Sequence, residues 1–144
     1  MACIELTDDI LDTMRAHAVH EYPHECCGAL FGIDNGEERE VRDVMPIDNV
    51  STGDRCRRFS VSPRDYLRAE REAASRGLTL LGFYHSHPDH PARPSETDRK
   101  FAQFGFSYPI LSVAADGVHD ITSWRLADPN GWYEIERVRC RFKV

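Results

Sequence analysis

At 144 residues, 41% of them hydrophobic, the chain is long enough to bury a real core, and residues 1–144 read as one domain. A formal charge of -6, with Lys100 and Lys143 as the only lysines, argues against non-specific binding to nucleic acid. Cys3, Cys26, Cys27, Cys56 and Cys140 form no CxxC pair, no leader pattern opens the sequence, and no apolar run approaches the roughly 20 residues that span a bilayer. The expected setting is therefore a reducing cytoplasm without a membrane anchor.

Residues 8–20 predict a first helix, with Thr7 as cap, Asp8 and Asp9 at its positive end, and Ile10, Leu11, Met14 and Ala18 as an apolar stripe. Pro23 ends it. Residues 26–33 read as a buried strand in which Gly28 permits close backbone approach, and Asn35-Gly36 turns the chain into a strand over 38–45. There Val41 and Val44 break the alternation, which predicts a bulge.

Residues 49–57 form a polar loop, and the basic cluster Arg55, Arg57 and Arg58 reads as a solvated turn or as a patch that docks a partner. A short strand over 59–61 follows, then Ser62-Pro63 opens a second helix that runs to residue 76 and stops at Gly77. Residues 78–84 are the apolar run of a buried central strand. A short helix over 95–104 and strands over 109–114, 119–126 and 132–138 complete a compact α/β fold, a mixed sheet flanked by helices.

The chemistry-bearing segment is His85-Ser86-His87-Pro88. Two histidines one residue apart on an extended segment project to the same side, here at the carboxyl end of the central strand. Downstream, Ser95 and Asp98 have the spacing of a capping box, in which Asp98 would answer the helix start. Asp98 has a second use, since it can turn toward the strand end as a third ligand. Two neutral imidazoles, a carboxylate and a water make a four-coordinate catalytic zinc site with one exchangeable position, whereas magnesium would call for more oxygen ligands. Such a site needs an external proton acceptor. Glu25, just past the break at Pro23, is the best placed, and Glu21 in the last turn of the first helix is its competitor.

Pro23-x-Glu25-x-Cys27-Gly28, His85-Ser86-His87-Pro88 and Ser95-x-x-Asp98, together with Asn49, Arg58-Phe59 and Pro63, resemble the JAMM motif and domain of the MPN+ metallopeptidases, in particular the short prokaryotic members. The resemblance implies a cytidine-deaminase-like α/β (MPN) fold and one zinc ion per chain with a bound water, held by His85, His87 and Asp98. It further implies Glu25 as the catalytic acid/base and Ser95 as donor to the oxyanion. The implied substrate is a small ubiquitin-like or sulfur-carrier protein cut after its C-terminal Gly-Gly, with release of cysteine as one outcome. The carrier tail would pair with a strand edge near residues 57–61 or with the loop 89–94, with Arg58 and Phe59 contacting it. A homodimer is compatible with this reading. Cys26 and Cys27 are expected in the core rather than as nucleophiles.

Three other classes stand beside the peptidase. A non-catalytic MPN-type binding module would have no use for the complete Glu/His/His/Asp set, and a deconjugating isopeptidase for other ubiquitin-like modifiers would share it. A nucleobase deaminase requires a His/Cys/Cys ligand signature that the sequence lacks.

Overall fold

The computed structural model describes residues 1–49 and 61–142. Strand β1 (Cys3–Thr7) leads into helix α1 (Asp8–Glu21), and β2 (Cys27–Asn35) and β3 (Glu38–Ile47) form a hairpin. Then come α2 (Pro63–Ser75), β4 (Thr79–Pro88), α3 (Glu96–Phe101), β5 (Ser107–Ala114), β6 (Gly117–Arg125) and β7 (Glu134–Arg141). The sheet is mixed, as expected. β4 lies at its centre, antiparallel to β2 and parallel to β5, while β1 pairs in parallel with both β3 and β7.

The helix α1 forms where the stripe predicted it, and Ile10, Leu11, Met14 and Ala18 are all buried. Each large apolar side chain so buried contributes roughly 1.5–3 kcal/mol, which outweighs the modest intrinsic propensity of the segment. The Thr7 hydroxyl engages Asp9 instead of capping a backbone amide. At the second helix the Ser62 hydroxyl accepts from the Asp65 amide, and Pro63 occupies the first turn where its missing N–H costs nothing.

The core lies on both faces of the sheet. Under α1, Met14 and Ala18 meet Leu30, Leu81, Tyr84 and Leu111. Under α2, Ala69 and Ala73 meet Ala29, Phe31, Phe83 and Tyr108. The assignment of β4 side chains to these faces depends on an irregularity in its pairing with β2, where Leu30 faces Gly82 and Phe31 faces Leu80, so that Leu81 is the extra residue. Beyond it, Phe83 belongs to the α2 face and Tyr84 to the α1 face, and alternation then carries His85 and His87 to the side of Phe83.

One element is added to the sequence expectations, one expectation is met and two are adjusted. β1 was not foreseen: its five residues pair only with the distant β3 and β7. The bulge does form in β3, where Arg42 is the extra residue between Val41 and Asp43. At Gly28 the close neighbour is the Tyr84 ring, on which a Cβ would collide, rather than backbone. Helix α3 ends at Phe101, because the Gln103 amide donates to the Tyr108 hydroxyl at 2.6 Å instead of continuing the helix. The expected strand over 59–61, Arg55, Cys56, Arg57, Arg58 and Phe59 lie outside the described residues, apart from Val61. Among the described residues, no helix is long and apolar enough to cross a membrane.

Candidate metal centre

His85 and His87 point from the centre of the sheet toward the start of α3, and three atoms converge there. His85 Nε2 and His87 Nε2 are 3.1 Å apart, and Asp98 Oδ2 lies 3.1 Å from the second and 3.3 Å from the first. Glu25 completes the group: one ligand atom from each of Glu25, His85, His87 and Asp98 lies within 4.8 Å of the others, and all four residues are buried. Glu21 is not a member. Of the two candidate bases, Glu25 is thus the one that stands with the three expected ligands, His85, His87 and Asp98.

Asp98 fills both of the roles left open for it. Its amide donates to Ser95 Oγ at 3.0 Å and its Oδ2 accepts from the Ser95 amide at 2.9 Å, a complete capping box. The same Oδ2 faces the two imidazoles, since a carboxylate oxygen has more than one lone pair to offer. From behind, the buried Tyr133 hydroxyl donates to the Asp98 carbonyl at 2.9 Å, which fixes the first turn of α3.

The ring of His87 is oriented by Pro91, whose carbonyl lies 2.9 Å from Nδ1 and can only accept. Nδ1 therefore carries a hydrogen, and in the neutral ring Nε2 presents its lone pair to His85 and Asp98. Two states satisfy such a triad: a proton on His87 Nε2, or a divalent cation shared by three acceptors. Ligands at about 2.0–2.1 Å in a tetrahedron would stand about 3.3 Å from one another, close to the separations found, so the residues fit a zinc-like ion.

The electrostatics match this arrangement. Burial lowers the His85 pKa against the pull of Asp98. For His87 burial also pulls downward, but the hydrogen bond and charge of Asp98, with the Pro91 carbonyl, reverse it and the pKa is raised. Burial would push Asp98 up, yet His85, His87 and the Ser95 amide hold its carboxyl well below the usual carboxylate range. Asp98 is anionic at any physiological pH.

Glu25 owes its position to backbone contacts. The Asn49 side chain donates to the Glu25 carbonyl at 3.1 Å. On the opposite side of β4 from the histidines, Ser86 takes the Cys26 amide on its hydroxyl at 2.8 Å and donates its own amide to the Cys26 carbonyl at 3.1 Å. This clamp, like Tyr133, was not singled out from sequence. Period-two alternation could have found Ser86, whereas nothing local marks Tyr133. Cys26 and Cys27 are buried in the two core clusters, and burial pushes the Cys26 thiol up to about 12 and raises Cys27 further, as befits core residues. Arg58 and Phe59, the expected substrate contacts, lie outside the described residues.

A His-x-His strand at the centre of a mixed sheet, with an acid from the next helix and a buried glutamate beside it, is the arrangement of a JAB1/MPN-type hydrolase and fits a metal ion. The family described as prokaryotic homologs of the JAB domain matches residues 7–127, and the chain belongs to it. Its conjugate-cleaving relatives make it a peptidase of the JAMM type.

A probable TtuB-protein conjugate cleaving protease of Thermus thermophilus is 37% identical over 109 residues, which cover 76% of this chain and 68% of that protein. A desampylase of Haloferax volcanii is 35% identical over 106 residues, covering 73% and 74%. A CysO-cysteine peptidase of Mycobacterium tuberculosis is 30% identical over 121 residues, covering 83% and 80%. Among solved structures, a protein of Desulfitobacterium hafniense superposes with a TM-score of 0.84 at 33% identity, covering 98% of this chain and 94% of that one. A JAB1/MPN domain protein from Archaeoglobus fulgidus shares the fold at TM-score 0.56 and 19% identity, over 96% of each chain.

Proposed function

We propose that this chain is a zinc-dependent peptidase that hydrolyses the amide or isopeptide bond following the C-terminal Gly-Gly of a small ubiquitin-like or sulfur-carrier protein. The observation that carries the reading is the burial of Glu25, His85, His87 and Asp98 around one point. The three relatives support the substrate class, being named a TtuB-protein conjugate cleaving protease, a desampylase and a CysO-cysteine peptidase.

His85, His87 and Asp98 would hold the ion, which when bound acidifies water and polarises the scissile carbonyl. Glu25 takes the proton from the attacking water as the new C–O bond forms, then gives it to the departing nitrogen as the C–N bond breaks. The products are the carrier carboxylate and a free amine. Ser95 lines the same cavity as Glu25 and His87, and because its Oγ accepts from the Asp98 amide, its own O–H remains to donate to the developing oxyanion. A Gly-Gly tail suits the site, since residues without side chains can pass between close walls.

The test compares an intact Gly-Gly-terminated carrier extended by cysteine or a short peptide with a free peptide of the same last six residues, before and after chelation. Cleavage of the carrier after the second glycine, much weaker turnover of the peptide, and loss of both on chelation would support the reading. Equal turnover would indicate a broader peptidase, and no turnover of either by zinc-loaded protein would leave the fold as a binding module.

A further inference from the structure

Two cavities flank the ligand triad, and they differ in chemistry. One, of about 450 Å³, adjoins His85 and Asp98 and is walled by Tyr66, Phe83, Tyr108 and Tyr133. The other, of about 350 Å³, is the one that contains Glu25, His87 and Ser95. The rest of its lining is Pro88 at the end of β4 and, from the loop 89–94, His90, Pro91, Arg93 and Pro94.

That loop is held as firmly as a strand. The Asp89 amide donates to the Val113 carbonyl at 2.7 Å, and the Asp89 carboxylate accepts from the Tyr22 hydroxyl at 2.8 Å. Three successive carbonyls are each taken by a side chain from the sheet: His90 by Ser112 at 2.6 Å, Pro91 by His87 at 2.9 Å, and Ala92 by Thr122 at 2.5 Å. Arg93 follows directly, exposed, and among the described residues its guanidinium makes no ion pair. An exposed cation with no ion pair among the described residues, on a fixed loop that lines the cavity of the proposed general acid, is placed to meet an anion on the ligand.

The departing nitrogen must lie beside Glu25 to receive its proton, so the cavity of Glu25 is the leaving-group side. This step rests on the function proposed above. We propose that Arg93 is a specificity-determining residue that pairs with the free α-carboxylate of a single amino acid attached after the Gly-Gly, so that the preferred substrate is a carrier charged with one amino acid and not a lysine isopeptide. The size of the cavity fits one residue, its three prolines make the wall rigid, and the guanidinium matches a carboxylate in a two-pronged hydrogen bond. An isopeptide-linked lysine brings backbone amides to the same place and no carboxylate.

The test uses a Gly-Gly-terminated ubiquitin-like carrier extended by one alanine, prepared both as the free acid and as the carboxamide, with zinc-loaded protein. Wild-type protein should cleave the acid with a kcat/KM about tenfold above the amide, the equivalent of one charge-assisted hydrogen bond. Arg93→Gln should bring the ratio to near one by slowing the acid alone, and Arg93→Lys should restore part of it. A wild-type ratio near one, or an Arg93→Gln variant that slows acid and amide equally, overturns the assignment and leaves the peptidase reading standing. Cleavage of neither form by the wild type overturns that reading and this inference with it.

Discussion

Two pairs of metal-seeking side chains lie side by side in the sheet, one on β4 and one at the start of β2, and among the described residues only the first forms a site. Cys27 stands opposite His85 in the β2–β4 register, so Cys26-Cys27 and His85-x-His87 are separated by one strand spacing. The histidines alternate with Ser86 and so share a face, meet Asp98, and open onto two cavities. The cysteines are consecutive, so they point to opposite faces and enter different core clusters, where burial keeps both thiols protonated. Residue type proposes a ligand, but spacing against the strand period decides whether two of them can converge.

The largest effects should come from the histidine side. His87→Ala or Asp98→Asn should reduce metal content from one ion per chain to near zero and activity by about a thousandfold or more, measured by elemental analysis and carrier cleavage. Full occupancy in either variant would remove that residue from the ligand set. Glu25→Gln separates holding from chemistry: metal content should stay at one per chain while kcat falls about 10²–10⁴-fold. Wild-type turnover there would rule Glu25 out as proton carrier. Ser95→Ala should lower kcat by about 10²–10³-fold through the lost oxyanion donor. It should also destabilise the protein by about 1 kcal/mol through the lost cap, so thermal unfolding and kinetics report the two roles independently. A loss of stability without a loss of kcat would leave Ser95 as a cap only.

The cysteine side should show the smallest effect. Cys26→Ala and Cys27→Ala should keep metal content and kcat, at a stability cost of about 1 kcal/mol each. At pH 8 a thiol with its pKa near 12 is thiolate in only about one molecule in ten thousand, so iodoacetamide should leave Cys26 of the native protein unmodified and the activity intact. Rapid inactivation by alkylation at Cys26 would place a cysteine in the chemistry and erase the contrast between the pairs.

Much of the site was legible because its logic is local. The apolar run 78–84 announced a buried strand, period two put both imidazoles on one side, and Ser95-x-x-Asp98 announced a helix start. What the spacing left open, whether Asp98 caps or ligates, is resolved by one oxygen that does both. The rest depends on partners distant in sequence. β1 exists because β3 and β7 accept it, α3 stops because Tyr108 takes the Gln103 amide, and Ser86 and Tyr133 act through residues 60 and 35 positions away. The extra residue at Leu81 is similarly silent in the sequence, although it resets the alternation that delivers Phe83 and the histidines to their face.

The most direct test of the central claim is an anomalous scattering measurement at the zinc edge on crystals of the protein grown with zinc. The account predicts one strong peak per chain, lying between His85 Nε2, His87 Nε2 and Asp98 Oδ2, on the side of β4 that faces Glu25 and the Arg93 cavity. A peak beside Cys26 or Cys27, or no peak at the triad in zinc-loaded crystals, would contradict it.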